Sequence, residues 1–194
     1  MNDFALALAA YLAGSVPFAY LFTRLFRRAD IRQVGSGNVG TMNTVHNIGF
    51  VPGLLTLLGD AGKGVLAVTL AQRYGSEPLL PLAAVFLVIL GHNHSLFLGF
   101  QGGKGLASLL GGLLVLSPVT VLYLLLSFCL VVLFVRDANS AMGLVVLALP
   151  VFLYGDGGYT TMLLAGGTAL LIVLKHTGDF RAYRNGRRSL FRRP

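Results

Sequence analysis

The sequence predicts an all-α integral membrane protein with seven transmembrane helices, the fourth of them short, an external N-terminus and a cytoplasmic C-terminus. Of its 194 residues, 55% are hydrophobic and only 11% are charged, whereas soluble domains carry roughly 25% charged residues. Apolar runs recur along almost the whole chain and are separated by short polar clusters. We therefore interpret residues 1–194 as a single integral membrane domain.

Six apolar runs are near or above the ~17 residues needed to cross a bilayer. They cover residues 4–22, 52–71, 79–98, 118–135, 141–154 and 159–174. The first run has no basic residue ahead of it and is followed by further apolar sequence, so we expect a retained span rather than a cleaved signal peptide.

A seventh piece, residues 106–117, is doubtful by length, because its ~12 residues rise only ~18 Å as a helix. Charge placement favours a crossing, since loops on the cytoplasmic side are enriched in Lys and Arg. The cluster "RLFRRADIR" after the first run places the N-terminus outside. If the short piece crosses, Lys104, Arg136 and the arginine-rich tail from Lys175 all lie in the cytoplasm. The sequence thus predicts seven helices, with the short fourth one buried against its neighbours.

The net charge of +8 does not indicate nucleic-acid binding, because the basic residues flank apolar runs instead of forming a soluble basic face. The single cysteine, Cys129, lies inside the apolar run "LLLSFCLVVLF". Neither a disulfide framework nor a cysteine metal site can therefore be built.

Two glycine clusters carry the strongest chemical signal. "GSGN" (residues 35–38) and "GGKG" (residues 102–105) combine glycines, which allow close backbone approach, with side chains that donate to an anion. "GGKG" also runs into the predicted fourth helix, whose N-terminal N–H groups favour an anion. It is not a Walker A loop, because Leu98 and Gly105 stand where that motif needs Gly and Ser or Thr. The alternative for each cluster is an ordinary turn between spans.

The histidines give weaker signals. His92 and His94 form an H-x-H pair at the end of an apparent helix with no carboxylate near them in sequence, so we expect hydrogen bonds inside the bundle and no metal site. His176 begins the polar tail, where Asp179 could orient it if the segment stays helical. No H-x-x-x-x-D pair and no G-x-S-x-G elbow occurs, so an acyl transfer here would need an activated donor. No cofactor is implied.

Together, "GSGNVGTMN", "GDAGKG" and "GHNHSLFLGFQGGKGLAS" resemble the bacterial acyl-phosphate:glycerol-3-phosphate acyltransferases of the PlsY type, with a weaker echo in "KHTGDFRAYRNG". These are small seven-span inner-membrane enzymes that make lysophosphatidic acid. The resemblance covers essentially the whole chain and implies an inner-membrane protein whose active site faces the cytoplasm. Acyl phosphate, glycerol 3-phosphate and membrane lipid are the implied partners, and the oligomeric state stays open.

The resemblance also assigns roles to individual residues. It implies three catalytic residues, Lys104, Ser36 and His176. The implied substrate-binding residues are Gly35, Gly37, Asn38, Asn43, His46, Lys63, His92, Gly102, Gly103, Gly105, Ser140 and Asp179.

Several positions depart from the family pattern. His46 replaces an arginine, Asp179 an asparagine, Arg188 a glutamate, and Gln101 a lysine or arginine. The "VRDANS" segment that contains Ser140 fits the serine-rich loop of the family poorly. Because histidine offers fewer donors than an arginine fork, recognition of a dianion is weakened.

The expected reaction is direct attack of a glycerol phosphate hydroxyl on the acyl carbon, with Lys104 and loop N–H groups stabilising the phosphate leaving group. Either that phosphate or His176 takes the proton. Two alternatives remain: a paralogue of the same fold with another acceptor alcohol, and a small anion permease without enzymatic activity.

Overall fold

The computed structural model describes residues 2–154 and 158–186, and within these ranges the chain is helical with no strand. Three short 3₁₀ turns, Ile31–Gln33, Leu96–Leu98 and Val146–Ala148, separate some of the helices. The helices of the described residues are α1 (Asp3–Ser15), α2 (Phe18–Arg27), α3 (Thr41–Asn47), α4 (Phe50–Tyr74), α5 (Leu80–Asn93), α6 (Leu106–Leu116), α7 (Pro118–Val135), α8 (Ala138–Val145), α9 (Leu149–Tyr154) and α10 (Gly158–Arg184).

The described residues fall into two compact units that divide after Leu116. In the first unit α5 packs against α1, α4 and α6, while α4 also contacts α1, α2, α3 and α6. In the second unit α10 packs against α8 and α9, and α7 contacts the same two helices.

The first predicted span, residues 4–22, is divided into two helices and extends further than predicted. α1 ends at Ser15, Val16 is extended (φ −60°, ψ 116°), and α2 starts after Pro17. Proline removes a backbone donor and disfavours the helical conformation of the residue before it, so the break falls here. α2 then continues to Arg27 and ends at Arg28, which adopts the left-handed conformation (φ 52°).

Two later boundaries also differ from the prediction. The predicted span 141–154 begins earlier, as α8, because Asp137 caps this helix by accepting a hydrogen bond from the N–H of Ser140 at 2.8 Å. The predicted span 159–174 continues as α10 to Arg184. The polar segment around His176 is therefore helical. In a helix, residues three apart lie on the same face, so Asp179 can lie on the same face as His176.

Five helical segments of the described residues are long and apolar enough to cross a membrane: Asp3–Arg27, Phe50–Tyr74, Leu80–Leu98, Pro118–Val135 and Gly158–Arg184. Two shorter apolar segments, Leu106–Leu116 and Ala138–Tyr154, accompany them. Large apolar side chains lie on the outside of these helices, as on α7, where Leu130 is 62% and Phe134 83% exposed. An apolar outer surface of this extent suits lipid.

Candidate active site

The first glycine loop, residues 34–40, follows the 3₁₀ turn Ile31–Gln33 and precedes α3. Gly35 and Gly37 have φ values of 57° and 70°, which is the left-handed region that favours glycine. Ser36 is exposed at the tip, and the backbone N–H of Asn38 donates to its Oγ at 3.4 Å. A buried apolar cluster supports the loop: Ala19, Ile31, Val39, Ile48 and Leu98.

The side chain of Asn43 supports the first glycine loop through hydrogen bonds. Its amide nitrogen donates to the carbonyl oxygens of Val34 at 2.9 Å and Asn38 at 3.0 Å, and its amide oxygen accepts the N–H of Ser36 at 3.1 Å. The side chain is buried, with 5% of the residue exposed. Asn43 therefore shapes the backbone that presents Ser36, while His46, also on α3, is exposed to solvent.

The second glycine loop, residues 101–105, connects the end of α5 to α6. The N–H of Gly103 donates to the carbonyl oxygen of His92 at 3.2 Å, and α6 begins directly after Gly105, whose φ is 82°. Lys104 lies half-buried between these two glycines. The loop thus places glycines and a lysine at the start of a helix, as phosphate loops do, while the N–H of Gly103 is already bonded to His92.

The two glycine loops touch each other. A Cβ atom added to Gly103 would overlap the carbonyl oxygen of Val39 and the Nε2 atom of His92. The turn before the first loop also contacts the second loop, because Arg32 donates from Nη1 to Oε1 of Gln101 at 3.5 Å. Sequence alone predicted both loops, and the structure brings them into contact.

Arg32 forms a bidentate ion pair with Asp30 just before the first loop. Its Nη2 lies 2.7 Å from Asp30 Oδ2, and its Nε lies 3.0 Å from Asp30 Oδ1. The hydrogen bonds from the Arg32 guanidinium, despite partial burial, hold the pKa of Asp30 below its usual value, and the same bonds raise the pKa of Arg32. Sequence reasoning did not single out this pair, although the D-x-R spacing was visible.

Lys63 and His92, both predicted to bind substrate, belong to a buried polar cluster with Asp60. Lys63 lies in the middle of α4, and its Nζ is 2.8 Å from Asp60 Oδ1 and 2.9 Å from His92 Nδ1. Its third contact is the carbonyl oxygen of Val16, at 3.0 Å, in the break between α1 and α2. Sequence reasoning missed Asp60, although an Asp three residues before a Lys within an apolar run indicates a pair on one helix face.

Within the second unit, three of the residues predicted to belong to the site are buried: His176, Asp179 and Ser140. His176 Nδ1 lies 2.8 Å from the carbonyl oxygen of Ile172. Because a carbonyl oxygen only accepts, Nδ1 carries the proton and Nε2 of the neutral ring carries the lone pair. Ser140 Oγ is buried and makes no hydrogen bond within the described residues.

The two residues that follow α5 have defined contacts. His94 ends α5, and the Tyr11 hydroxyl donates to its carbonyl oxygen at 3.1 Å. Ser95 is buried, and its hydroxyl donates to the carbonyl oxygen of Ser15. Arg188 lies outside the described residues. Among the described residues, no group of three or more His, Cys, Asp or Glu side chains could hold a metal ion.

A helical chain with an apolar outer surface and two touching glycine loops is the architecture expected of an integral membrane enzyme. The chain belongs to the glycerol-3-phosphate acyltransferase family, whose family model matches residues 4–186. It is an acyltransferase of phospholipid biosynthesis.

Relatives and solved structures agree with this assignment. The chain is 40% identical to the glycerol-3-phosphate acyltransferase of Syntrophomonas wolfei, over 96% of this chain and 95% of the relative. It is 35% identical to that of Geobacter sulfurreducens, over 99% of both chains. The crystal structure of PlsY, an integral membrane glycerol 3-phosphate acyltransferase, in its glycerol 3-phosphate form matches with a TM-score of 0.87 and 29% identity, over 98% of this chain and 96% of that chain. The lysophosphatidic acid form of PlsY matches with a TM-score of 0.83 and 28% identity, over 95% and 93% of the two chains.

Proposed function

We propose that this protein transfers a fatty acyl group from an acyl phosphate to a hydroxyl of glycerol 3-phosphate, releasing lysophosphatidic acid and inorganic phosphate. One observation carries the proposal: two glycine loops in contact, with Lys104 in one and Ser36 in the other. The bound forms of the PlsY structures, glycerol 3-phosphate and lysophosphatidic acid, support this substrate and product for the present chain.

In this reaction the phosphate of the donor binds the Gly102–Gly103–Lys104–Gly105 loop. The acceptor hydroxyl attacks the acyl carbon, the bond between the acyl carbon and the phosphate oxygen breaks, and phosphate leaves with its added negative charge. Lys104 and the N–H groups at the start of α6 stabilise that charge as it develops. Because the acyl phosphate is already activated, no covalent enzyme intermediate is needed.

The proton of the attacking hydroxyl goes either to the departing phosphate or to His176. The hydrogen bond from His176 Nδ1 to Ile172 supports Nε2 as the accepting atom in the second case. We assign Ser36, Lys104 and His176 to catalysis. The other proposed site residues, which position or bind the substrates, are Gly35, Gly37, Asn38, Asn43, His46, Lys63, His92, Ser140 and Asp179.

The enzymatic assignment is tested with detergent-purified protein, acyl phosphate and glycerol 3-phosphate, by detecting lysophosphatidic acid. We expect product from the wild-type chain and its loss in Lys104→Ala, since that change removes the charge next to the leaving group. Unchanged product formation by Lys104→Ala would overturn the assignment of the loop. A panel of other alcohols tests the acceptor, and turnover with glycerol 3-phosphate alone would exclude a paralogue with a different acceptor.

We further propose that residues 1–194 act as one domain with seven crossings in the inner membrane, with the N-terminus outside and the active site in the cytoplasm. Five long apolar helices and two shorter ones support this count. In a Cys129→Ser background, Glu77→Cys should react with an impermeant thiol reagent on intact cells or spheroplasts. Gln33→Cys should react only after the membrane is permeabilised. The reverse pattern would overturn the proposed orientation.

A further inference from the structure

Three ionisable side chains meet in the interior of the first unit, and the proposed chemistry does not need all of them. Asp60 and Lys63 lie on one face of α4, and His92 lies at the end of α5. Their side chains are only 3%, 4% and 7% exposed. Because ionisable groups at membrane depth are energetically unfavourable, they are kept mainly where they have a function.

The ammonium group of Lys63 contacts three groups of the protein itself. Its three contacts are Asp60 Oδ1, His92 Nδ1 and the carbonyl oxygen of Val16, all within 3.0 Å. The contacts with His92 and Val16 are hydrogen bonds, and the contact with Asp60 is an ion pair without hydrogen-bond geometry. Lys63 therefore acts on its neighbours in the fold.

The contact between Lys63 and His92 determines the form of the His92 ring. Because the ammonium can only donate, His92 Nδ1 must accept, and the neutral ring then carries its proton on Nε2. Asp60 holds Lys63 in place, and its Oδ1 lies 3.4 Å from His92 Nδ1. The cluster thus fixes both the tautomer and the rotamer of His92.

His92 in turn contacts the second glycine loop from two sides. Its carbonyl oxygen accepts the N–H of Gly103 at 3.2 Å. Its Nε2 lies so close to the α-carbon of Gly103 that an added Cβ would overlap it, and a Cβ on Gly102 would overlap the His92 carbonyl oxygen. Any rotation of His92 would therefore displace the backbone next to Lys104.

We propose that Asp60 and Lys63 are positioning residues of acyl transfer, which act through His92 to hold the Gly102–Lys104 backbone in its phosphate-binding conformation. The inference rests on the proposed function of that loop. Lys63, on this account, supports the loop and does not contact the phosphate.

The test uses the double variant Asp60→Asn/Lys63→Gln, which removes both charges and leaves neither unpaired. We expect KM for acyl phosphate to rise about 10- to 100-fold, since small displacements of a binding group have effects of this size. A merely structural defect would lower the active fraction, and hence the maximal rate, without changing KM. Hydrogen exchange of peptides that contain Gly103, measured without substrate, should become faster.

Two further variants make the test specific. Thr56→Ala is the matched control, because Thr56 is a buried polar residue of α4 whose hydroxyl donates within its own helix, to the carbonyl oxygen of Pro52. It should leave KM and exchange at Gly103 unchanged. The milder Asp60→Asn keeps an oxygen for Lys63, should give an intermediate KM, and serves as the test if the double variant does not fold.

The outcomes separate this inference from the proposed function. If Lys104→Ala abolishes activity while the Asp60 and Lys63 variants leave both KM values and the exchange at Gly103 unchanged, the positioning role is wrong and the phosphate loop stands. If Lys104→Ala leaves activity unchanged, the proposed loop function fails first, and the positioning role fails with it.

Discussion

Gly103 donates its backbone N–H to the carbonyl oxygen of His92, and the ring of His92 lies against the Gly103 α-carbon. On its other side Gly103 contacts the carbonyl oxygen of Val39 in the first glycine loop. One residue without a side chain therefore joins the end of α5 to both glycine loops. Any larger residue would force these parts away from one another.

Replacing Gly103 by alanine should lower acyl transfer at least about tenfold, because the new Cβ overlaps two fixed neighbours and must displace Lys104. The measurement is lysophosphatidic acid formation by purified variants. Gly62→Ala is the matched control: a Cβ there meets nothing within 4 Å, and alanine favours an α-helix over glycine by about 0.5–1 kcal/mol. Full activity in Gly103→Ala would contradict the close contact.

Asn43→Ala should loosen the first glycine loop. The substitution leaves the carbonyl oxygens of Val34 and Asn38 and the N–H of Ser36 without their bonds to this side chain, and a buried polar group left unsatisfied costs about 1–3 kcal/mol. We expect a lower thermal midpoint in detergent and faster proteolysis within residues 30–41. Thr56→Ala is the control, since Thr56 is buried and its hydroxyl donates within α4, to the carbonyl oxygen of Pro52. Equal effects of the two variants would argue against the supporting role of Asn43.

His176→Asn and His176→Gln separate a proton-accepting role from a structural one. The amide of Asn can replace Nδ1 as the donor to Ile172, whereas the amide of Gln reaches the position of Nε2. If Nε2 accepts the proton, both variants should lose about 10²- to 10⁴-fold in kcat. If Asn retains most of the activity, the hydrogen bond to Ile172 is the only contribution of His176, and the leaving phosphate is the base.

The Asp30–Arg32 pair predicts a pH dependence of stability. The pKa of Asp30 is lowered in the folded protein by the hydrogen bonds from Arg32, so its contribution is complete above the ordinary value of about 3.9 and is lost as pH falls through the lower folded pKa. Thermal unfolding of the wild type minus that of Asp30→Asn should show this difference shrinking below about pH 4. A difference that stays constant over that range would exclude the ion pair as its cause.

His46→Arg tests whether the departures from the family pattern weaken recognition of glycerol 3-phosphate. His46 is exposed on α3, beside the first glycine loop, and an arginine there offers a planar fork of donors to a phosphate. We expect KM for glycerol 3-phosphate to fall by up to about tenfold, the equivalent of ~1.4 kcal/mol. A gain for another alcohol, with no change for glycerol 3-phosphate, would favour a different natural acceptor.

Composition and local motifs determined the class of this protein and its chemical elements. Apolar runs of sufficient length require helices in a bilayer, because only helices satisfy every backbone hydrogen bond there apart from closed barrels. "GSGN" and "GGKG" predicted two glycine loops, since positive φ values and close backbone approach need glycine. The predicted helix boundaries were less accurate. Pro17 divides the first predicted span, α2 continues to its cap at Arg28, and α8 starts early, after its cap at Asp137.

The tertiary structure decided which of these elements meet. In a membrane the outward face of a helix is as apolar as its packed face, so hydrophobic periodicity does not tell which side of α4 or α5 turns inward. That rotation places Asp60 and Lys63 against His92, and Asn43 beneath the loop of Ser36. Contacts between residues far apart in sequence depend on how the helices pack. The sequence therefore indicated which polar residues were important, but it did not indicate which of them contact one another.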